Sequence, residues 1–261
     1  MTGGQLQKAE ALVHSRKTDS VRLPVLEIFG PTVQGEGMVI GQKTMFIRTA
    51  GCDYACSWCD SAFTWDGTAK ADIRLLEADI IYEELCETAG GEDRFGHVTL
   101  SGGNPALLAG LGELISLLHS RGKQVALETQ GSRWQDWFTE IDELTLSPKP
   151  PSSGMKTDWE MLDSIISRLS AAGSAFSLKV VIFDERDLDY AVQVQQRYPD
   201  VQLFVQAGND RLDEADASLL LVHLAGRYEH LVGQVMERPE LNRARVLPQL
   251  HAWIWGNKRG V

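Results

Sequence analysis

The stretch Cys52-Asp53-Tyr54-Ala55-Cys56-Ser57-Trp58-Cys59 sets three cysteines in one short loop, with three and then two residues between them. Such spacing lets three thiolates wrap around a single inorganic centre. A cubane iron–sulfur cluster takes four ligands, commonly cysteine thiolates, and this loop supplies three. The fourth cysteine, Cys86, lies 27 residues on in Asp79-Ile80-Ile81-Tyr82-Glu83-Glu84-Leu85-Cys86, a pattern that reads as an amphipathic helix. One iron is therefore expected to stay open for a small molecule, as the open position of catalytic zinc does. A structural zinc site would add a second Cys-x-x-Cys or a histidine pair, and none is present at ligand spacing. Four cysteines in a chain of 261 residues do not make a disulfide scaffold. An open cluster is thus the preferred reading, ahead of zinc, with chance spacing third.

Composition bounds the rest. A chain of this length can bury a substantial core as one domain. The 43% hydrophobic content is ordinary for a soluble protein. A net charge of −11 disfavours direct nucleic-acid contact and anionic membrane surfaces. No apolar run approaches the roughly 20 residues that span a bilayer, and the first 22 residues are polar, without the apolar core of a signal peptide. Reduced thiols and an oxygen-sensitive cluster lead to the expectation of a cytoplasmic protein. Residues 1–22 read as a flexible N-terminal appendage, with a short helix over Gln5–Lys17. Residues 23–261 read as a single domain.

From Leu23 onward, strands alternate with helices. Leu23–Phe29 reads as a strand, followed by Gly30-Pro31-Thr32-Val33-Gln34-Gly35-Glu36-Gly37, where two glycines flank Glu36 and allow either a sharp turn or a close approach to a ligand. Lys43–Gly51 reads as a strand that delivers Arg48 and the cysteine loop to one end of a sheet. Arg48 alternates with apolar neighbours, which suits a bidentate carboxylate contact or a structural ion pair. Asp60 and Ser61 follow the last cysteine as turn formers or as oxygen ligands for Mg²⁺. Helix Leu76–Thr88 leads to strand His97–Leu100, which ends in Ser101-Gly102-Gly103-Asn104-Pro105, and a helix follows over Leu107–His119. Further strands are expected in Gln124–Gly131, Glu143–Pro151, Phe176–Phe183 and Val201–Asn209, separated by helices at Asp158–Ala171, Leu188–Tyr198 and Ala215–Leu231. Polar residues collect at the strand ends. Repeated β-then-α implies a parallel sheet with its site at the carboxyl edge. About six strands are too few for a closed eight-stranded barrel. Lys179 lies in an apolar strand, where a structural carboxylate partner is expected, and no catalytic role is assigned to it. The aromatic tail from Arg245 is expected to dock on the body.

Cys-x3-Cys-x2-Cys with aromatic Trp58 before the third cysteine resembles the signature of the radical S-adenosylmethionine (SAM) enzymes. That resemblance implies an α/β fold, an incomplete, laterally open (β/α)6-like barrel. It also implies a [4Fe-4S] cluster on Cys52, Cys56 and Cys59 whose open iron binds SAM. Several segments then occur in the order of one family: Phe29–Gly37, Phe46-Ile47-Arg48, Cys52–Ser61, Ser101–Pro105, Glu128-Thr129-Gln130-Gly131, Ser147-Pro148-Lys149-Pro150 and Pro248-Gln249-Leu250-His251. Together they resemble the 7-carboxy-7-deazaguanine synthases of queuosine and deazapurine biosynthesis, in their Bacillus-type form, from about Leu23 to Val261. The resemblance implies a Mg²⁺-dependent radical ring contraction of 6-carboxy-5,6,7,8-tetrahydropterin, begun by hydrogen abstraction at C6 and ending with loss of ammonia. Val33, Gln34, Gly35, Glu36, Arg48, Ser101 and His251 match substrate-binding positions. Ser61 matches the Mg²⁺ ligand. Trp58, Gly103, Ser147, Pro148, Lys149, Gln206 and Asn209 match positions around SAM. No side chain is assigned as catalytic, because SAM carries the radical. Two departures stand out. Asn104 occupies a position where many radical SAM enzymes carry glutamate. The chain also runs ten residues past His251, whereas some relatives end about six residues past it and read the pterin with their terminal carboxylate. A flavodoxin-like electron donor and a homodimer are the partners the family implies.

Two other readings predict different outcomes. A radical SAM activase that installs a glycyl radical would need a partner protein and would not turn over small pterins. A non-enzymatic iron–sulfur electron-transfer module would neither bind SAM nor release deoxyadenosine.

Overall fold

The computed structural model describes residues 21–261. The expected N-terminal appendage lies outside the described residues except for Val21 and Arg22. Among the described residues, one nine-stranded sheet runs in the order β3-β1-β2-β4-β5-β6-β7-β8-β9. Its strands are β1 (Leu23–Val33), β2 (Lys43–Thr49), β3 (Arg74–Leu76), β4 (His97–Gly102), β5 (Gln124–Thr129), β6 (Glu143–Leu146), β7 (Phe176–Ile182), β8 (Leu203–Ala207) and β9 (Arg245–Leu247). From β2 to β9 the neighbours pair in parallel. β1 pairs antiparallel with both β2 and β3 at one edge. The two edges do not meet, so the barrel is open, as the βα alternation predicts.

Six helices among the described residues cover the sheet: α1 (Ala78–Ala89), α2 (Leu111–Ser120), α3 (Trp159–Ala172), α4 (Glu185–Arg197), α5 (Ala217–Met236) and α6 (Leu250–Trp255). Their ends follow local chemistry. Asp158, Asp184 and Asp216 cap α3, α4 and α5 by accepting backbone N–H bonds from the first turn. Gly90 and Gly173 close α1 and α3 in the left-handed conformation. The principal core fills the space between helices and sheet, with Leu100, Leu114, Leu127, Leu144, Ile165 and Leu178 all fully buried. Strands β7 and β8 are buried almost throughout, as parallel strands covered on both faces must be.

Two features differ from the sequence expectation. The edge strands β3 and β9 are only three residues each, too short to show a period. The segment expected as a helix over Leu107–His119 instead makes a short 3₁₀ turn at Pro105–Leu107 and begins its α-helix at Leu111. The chain stays tight there because Asn104 caps the turn, its side-chain oxygen accepting from the Ala106 amide. The tail does dock, as one more strand, β9, and one more helix, α6, on the body. Among the described residues no helix is long and apolar enough to cross a membrane.

Candidate active site

The carboxyl ends of the parallel strands converge on one cavity of about 320 Å³, at the small end of the usual range for ligand sites. β2 delivers Arg48 and the cysteine loop, and β4 delivers Ser101, Gly102 and Gly103. β5 contributes Glu128, Thr129 and Gln130. Lys149, Asn209 and Gln249 arrive from the loops after β6, β8 and β9, and His251 from the first turn of α6. Of the positions singled out in the sequence, Val33, Gln34, Gly35, Glu36, Arg48, Cys52, Cys56, Trp58, Cys59, Ser61, Ser101, Gly103, Lys149, Asn209 and His251 line this cavity. Ser147, Pro148 and Gln206 do not; they are buried in its wall. The Ser147 amide is tied to the Thr129 carbonyl at 2.7 Å, and its hydroxyl accepts from Lys149 at 3.2 Å.

The thiols of Cys52, Cys56 and Cys59 are free, half-buried and on the cavity wall. Polar hydrogens point at two of the sulfurs. The Tyr54 amide lies 3.4 Å and Gln130 Nε2 3.7 Å from Cys52 Sγ, and Trp65 Nε1 lies 3.5 Å from Cys59 Sγ. Such donors stabilise thiolate ligands. Burial pushes the Cys56 thiol up to about 11 and raises that of Cys52, so both are protonated thiols until a metal displaces the proton. Cys86, on α1, packs against the core and does not line the cavity. The donor set therefore fits a cluster with three protein ligands and one open iron.

The cysteine loop is pinned by a group that sequence reasoning did not assign. Asn104 is fully buried. Its Nδ2 donates to Asp53 at 2.9 Å and to Ser132 at 3.0 Å, and its Oδ1 accepts from Thr129 at 2.7 Å. Gln130 also donates to Asp53, at 2.6 Å. The amide that replaces the usual glutamate thus holds the loop. Gly103 sits just before it for steric reasons: a Cβ there would lie 2.1 Å from the Gly51 carbonyl oxygen.

Two charged groupings contribute side chains to the cavity wall. In the first, Arg48 lies 2.8 Å from Glu27 and donates to Ser61 at 2.9 Å. Its guanidinium sits 5.5 Å from the ring centroids of both Phe29 and Phe63. Phe29 and Phe46 stack at 4.8 Å, nearly parallel, and form a flat aromatic wall. The structural ion pair expected of Arg48 is present, and the residue also lines the cavity. In the second grouping, the buried Lys179 ammonium lies against Glu36 and 2.6 Å from Glu128. Gln249 donates to Glu36 at 3.0 Å, and His251 Nδ1 lies 3.7 Å from it. Burial opposes ionisation of Glu36, but the positive charges of Lys179 and His251 and the Lys179 hydrogen bond overcome it. They hold the carboxyl well below the usual range. For Lys179, burial works against the charge, and the two carboxylates more than offset it, raising its pKa.

Donor atoms for a hard cation are also in place. One ligand atom each from Glu36, Asp60 and His251 lies within 4.8 Å of the others, and Ser61 Oγ donates to Asp60 at 3.1 Å. The oxygens of Glu36, Asp60 and Ser61 fit a Mg²⁺ ion, which uses few protein ligands and keeps waters. Ser101 lines the cavity, and its buried hydroxyl has no partner among the described residues, as a group reserved for a ligand would be.

The comparisons with known proteins agree with this geometry. Residues 46–149 match the model of the radical SAM superfamily. A 7-carboxy-7-deazaguanine synthase of Bacillus cereus is 58% identical over 240 residues, covering 92% of this chain and 99% of the relative. The Bacillus subtilis protein of the same name is 59% identical over 241 residues, covering 92% and 98%. The crystal structure of QueE from Escherichia coli matches with a TM-score of 0.58 at 24% identity, over 88% of this chain and 95% of that one, which concerns the fold.

Proposed function

Because the chain belongs to the 7-carboxy-7-deazaguanine synthase family of the radical SAM superfamily, we infer that the cavity binds 6-carboxy-5,6,7,8-tetrahydropterin between its two charged groupings. The enzyme carries a [4Fe-4S] cluster and SAM, and it contracts the pterin ring to 7-carboxy-7-deazaguanine with loss of ammonia. The observation that carries the substrate reading is that Arg48 and Glu36 line one cavity together with the three cysteines. Arg48 suits the substrate carboxylate. Ionised Glu36, an acceptor only, suits the N–H donors of the aminopyrimidinone ring. The Phe29–Phe46 wall suits its flat face.

When bound, the cluster and SAM supply one-electron chemistry that yields a radical strong enough to take hydrogen from carbon. The chain's own residues do the rest. Cys52, Cys56 and Cys59 hold the cluster, leaving one iron for SAM. Trp58, Gly103, Ser147, Pro148, Lys149, Gln206 and Asn209 surround SAM, the buried ones by shaping the wall. Val33, Gln34, Gly35, Glu36, Arg48, Ser101 and His251 fix the pterin, so that one carbon faces the radical and the others are kept from it. Ser61, with Asp60 beside it, would hold a Mg²⁺ ion, which would supply positive charge beside the substrate. Residues 23–261 act as one domain in the cytoplasm. The reductant is a flavodoxin-like donor, and the functional unit is a homodimer.

Anaerobic incubation of the reconstituted, reduced protein with SAM and the tetrahydropterin, with and without Mg²⁺, tests this reading. Mass spectrometry should find 7-carboxy-7-deazaguanine, in greater amount with Mg²⁺. Turnover only of a protein substrate would favour the glycyl-radical reading, and absence of deoxyadenosine with an intact cluster would favour the electron-transfer module.

A further inference from the structure

The last six residues of the chain line the same cavity. They are held at two points on opposite sides of the open sheet. Asn257 accepts from Asn209, just past β8, at 2.8 Å, and its own amide donates to the carbonyls of Arg211 and Glu214 at 2.8 and 3.0 Å. Two residues on, Arg259 forms an ion pair with Glu27 on β1, and its guanidinium lies 3.8 Å from the Phe63 ring centroid. The tail thus crosses the side that the sheet leaves open. Glu27 is also the partner of Arg48, so one carboxylate is shared by two guanidiniums stacked around one ring.

The charge balance gives the tail a role. Arg48 with Glu27 alone is a neutral pair, and the Glu27 carboxylate would repel an incoming carboxylate. A second guanidinium changes the sum over these three side chains from zero to plus one. It also draws Glu27 away from sole possession of Arg48. We propose that Arg259 is a positioning residue for carboxylate recognition: by sharing Glu27 it leaves Arg48 available to the substrate carboxylate and offsets the Glu27 charge beside it. The inference rests on the pterin reading above and adds to it a residue from the tail beyond His251.

The test is equilibrium binding to the reconstituted, SAM-loaded protein of two unreactive probes, 6-carboxypterin and the uncharged 6-hydroxymethylpterin. Wild type is compared with Arg259→Met, Glu27→Gln and the double variant, with melting curves checking the fold. Arg259→Met should weaken 6-carboxypterin about tenfold, as expected for losing one partly exposed charge near the ligand, and should leave the hydroxymethyl compound within about twofold. Adding Glu27→Gln restores the net charge and should recover most of the lost affinity. A tail that served only as a strap would lose both probes together, or would gain nothing from Glu27→Gln. Either result would overturn the role of Arg259, as would unchanged binding in Arg259→Met. A wild type that does not distinguish the two probes would overturn the pterin reading itself, and this role with it.

Discussion

Lys179, buried in the middle of β7, lies against Glu36 from a loop 143 residues earlier in the chain, and it holds Glu128 of β5 at 2.6 Å on its other side. A lysine that sequence alone marks as merely structural therefore fixes the carboxylate proposed to read the pterin. Replacing it with methionine strands two carboxylates around an apolar side chain. The expected loss is about 3 kcal/mol, or roughly 6 to 12 °C in Tm for a domain of this size. Pterin binding should fall as well, because Glu36 loses its fixed position. A shift under 1 °C in thermal denaturation would show that the ion pair does not organise the site.

The pH dependence of that loss has a definite sign. The folded value of Glu36 lies below its ordinary 4.5, so its contribution to stability is complete above that pH and fades as pH falls through the folded value. The folded value of Lys179 lies above its ordinary 10.5, so its contribution is complete below that pH and fades only as pH rises through the folded value. Between about pH 6 and 9 neither group changes charge. The Tm difference between wild type and Lys179→Met should be level across that window and narrow below about pH 5, where the stranded carboxylates of the variant take up protons. A difference that grows in acid would contradict the assignment.

Cys52→Ala, Cys56→Ala and Cys59→Ala should each remove the cluster and SAM cleavage. Cys86→Ala should leave both intact, since Cys86 packs against the core away from the cavity. Iron content and the visible absorbance of the reconstituted protein separate the two groups. Loading should also be slower at lower pH, because the raised thiols must release protons to bind metal.

Ser61→Ala tests the cation site. The hydroxyl now accepts from Arg48 and donates to Asp60. Its loss should reduce the stimulation of turnover by Mg²⁺ while leaving iron content and SAM binding unchanged. Equal stimulation in the variant would remove Ser61 as a ligand.

Gly35→Ala tests the docking of the tail helix. A Cβ at Gly35 would stand 2.6 Å from His251 Nδ1 and 2.7 Å from its backbone nitrogen, and Leu250 donates its amide to the Gly35 carbonyl at 3.1 Å. The rigid backbone contact cannot simply rotate away, so α6 must shift. A cost of about 1 to 3 kcal/mol is expected, with weaker pterin binding. Unchanged melting and binding would mean that the α6 contact is dispensable.

These contacts also mark what could be read from the chain and what could not. The cysteine loop was legible because three ligands lie within eight residues, and the strand-end motifs were legible because βα alternation brings each to one edge. The partners of Arg48 and Lys179 were not. Glu27 meets Arg48 only through the antiparallel register of β1 on β2, and Lys179 meets Glu36 only once the sheet is assembled. The role of Asn104 was not legible either, because its bond to Asp53 spans 51 residues. Arg259 carries no local pattern and acquires its meaning from where the tail crosses the open side. Gly35 could be seen as a turn glycine, but the reason for it, the nearness of His251, is tertiary.

The central claim is that this site takes a hydrogen from C6 of the carboxylated pterin and then contracts the ring. The most direct measurement is a single anaerobic turnover with SAM and 6-carboxytetrahydropterin deuterated at C6, with the products read by mass spectrometry. The account predicts deuterium in 5′-deoxyadenosine together with 7-carboxy-7-deazaguanine. Deoxyadenosine without deuterium, and no deazaguanine, would contradict it.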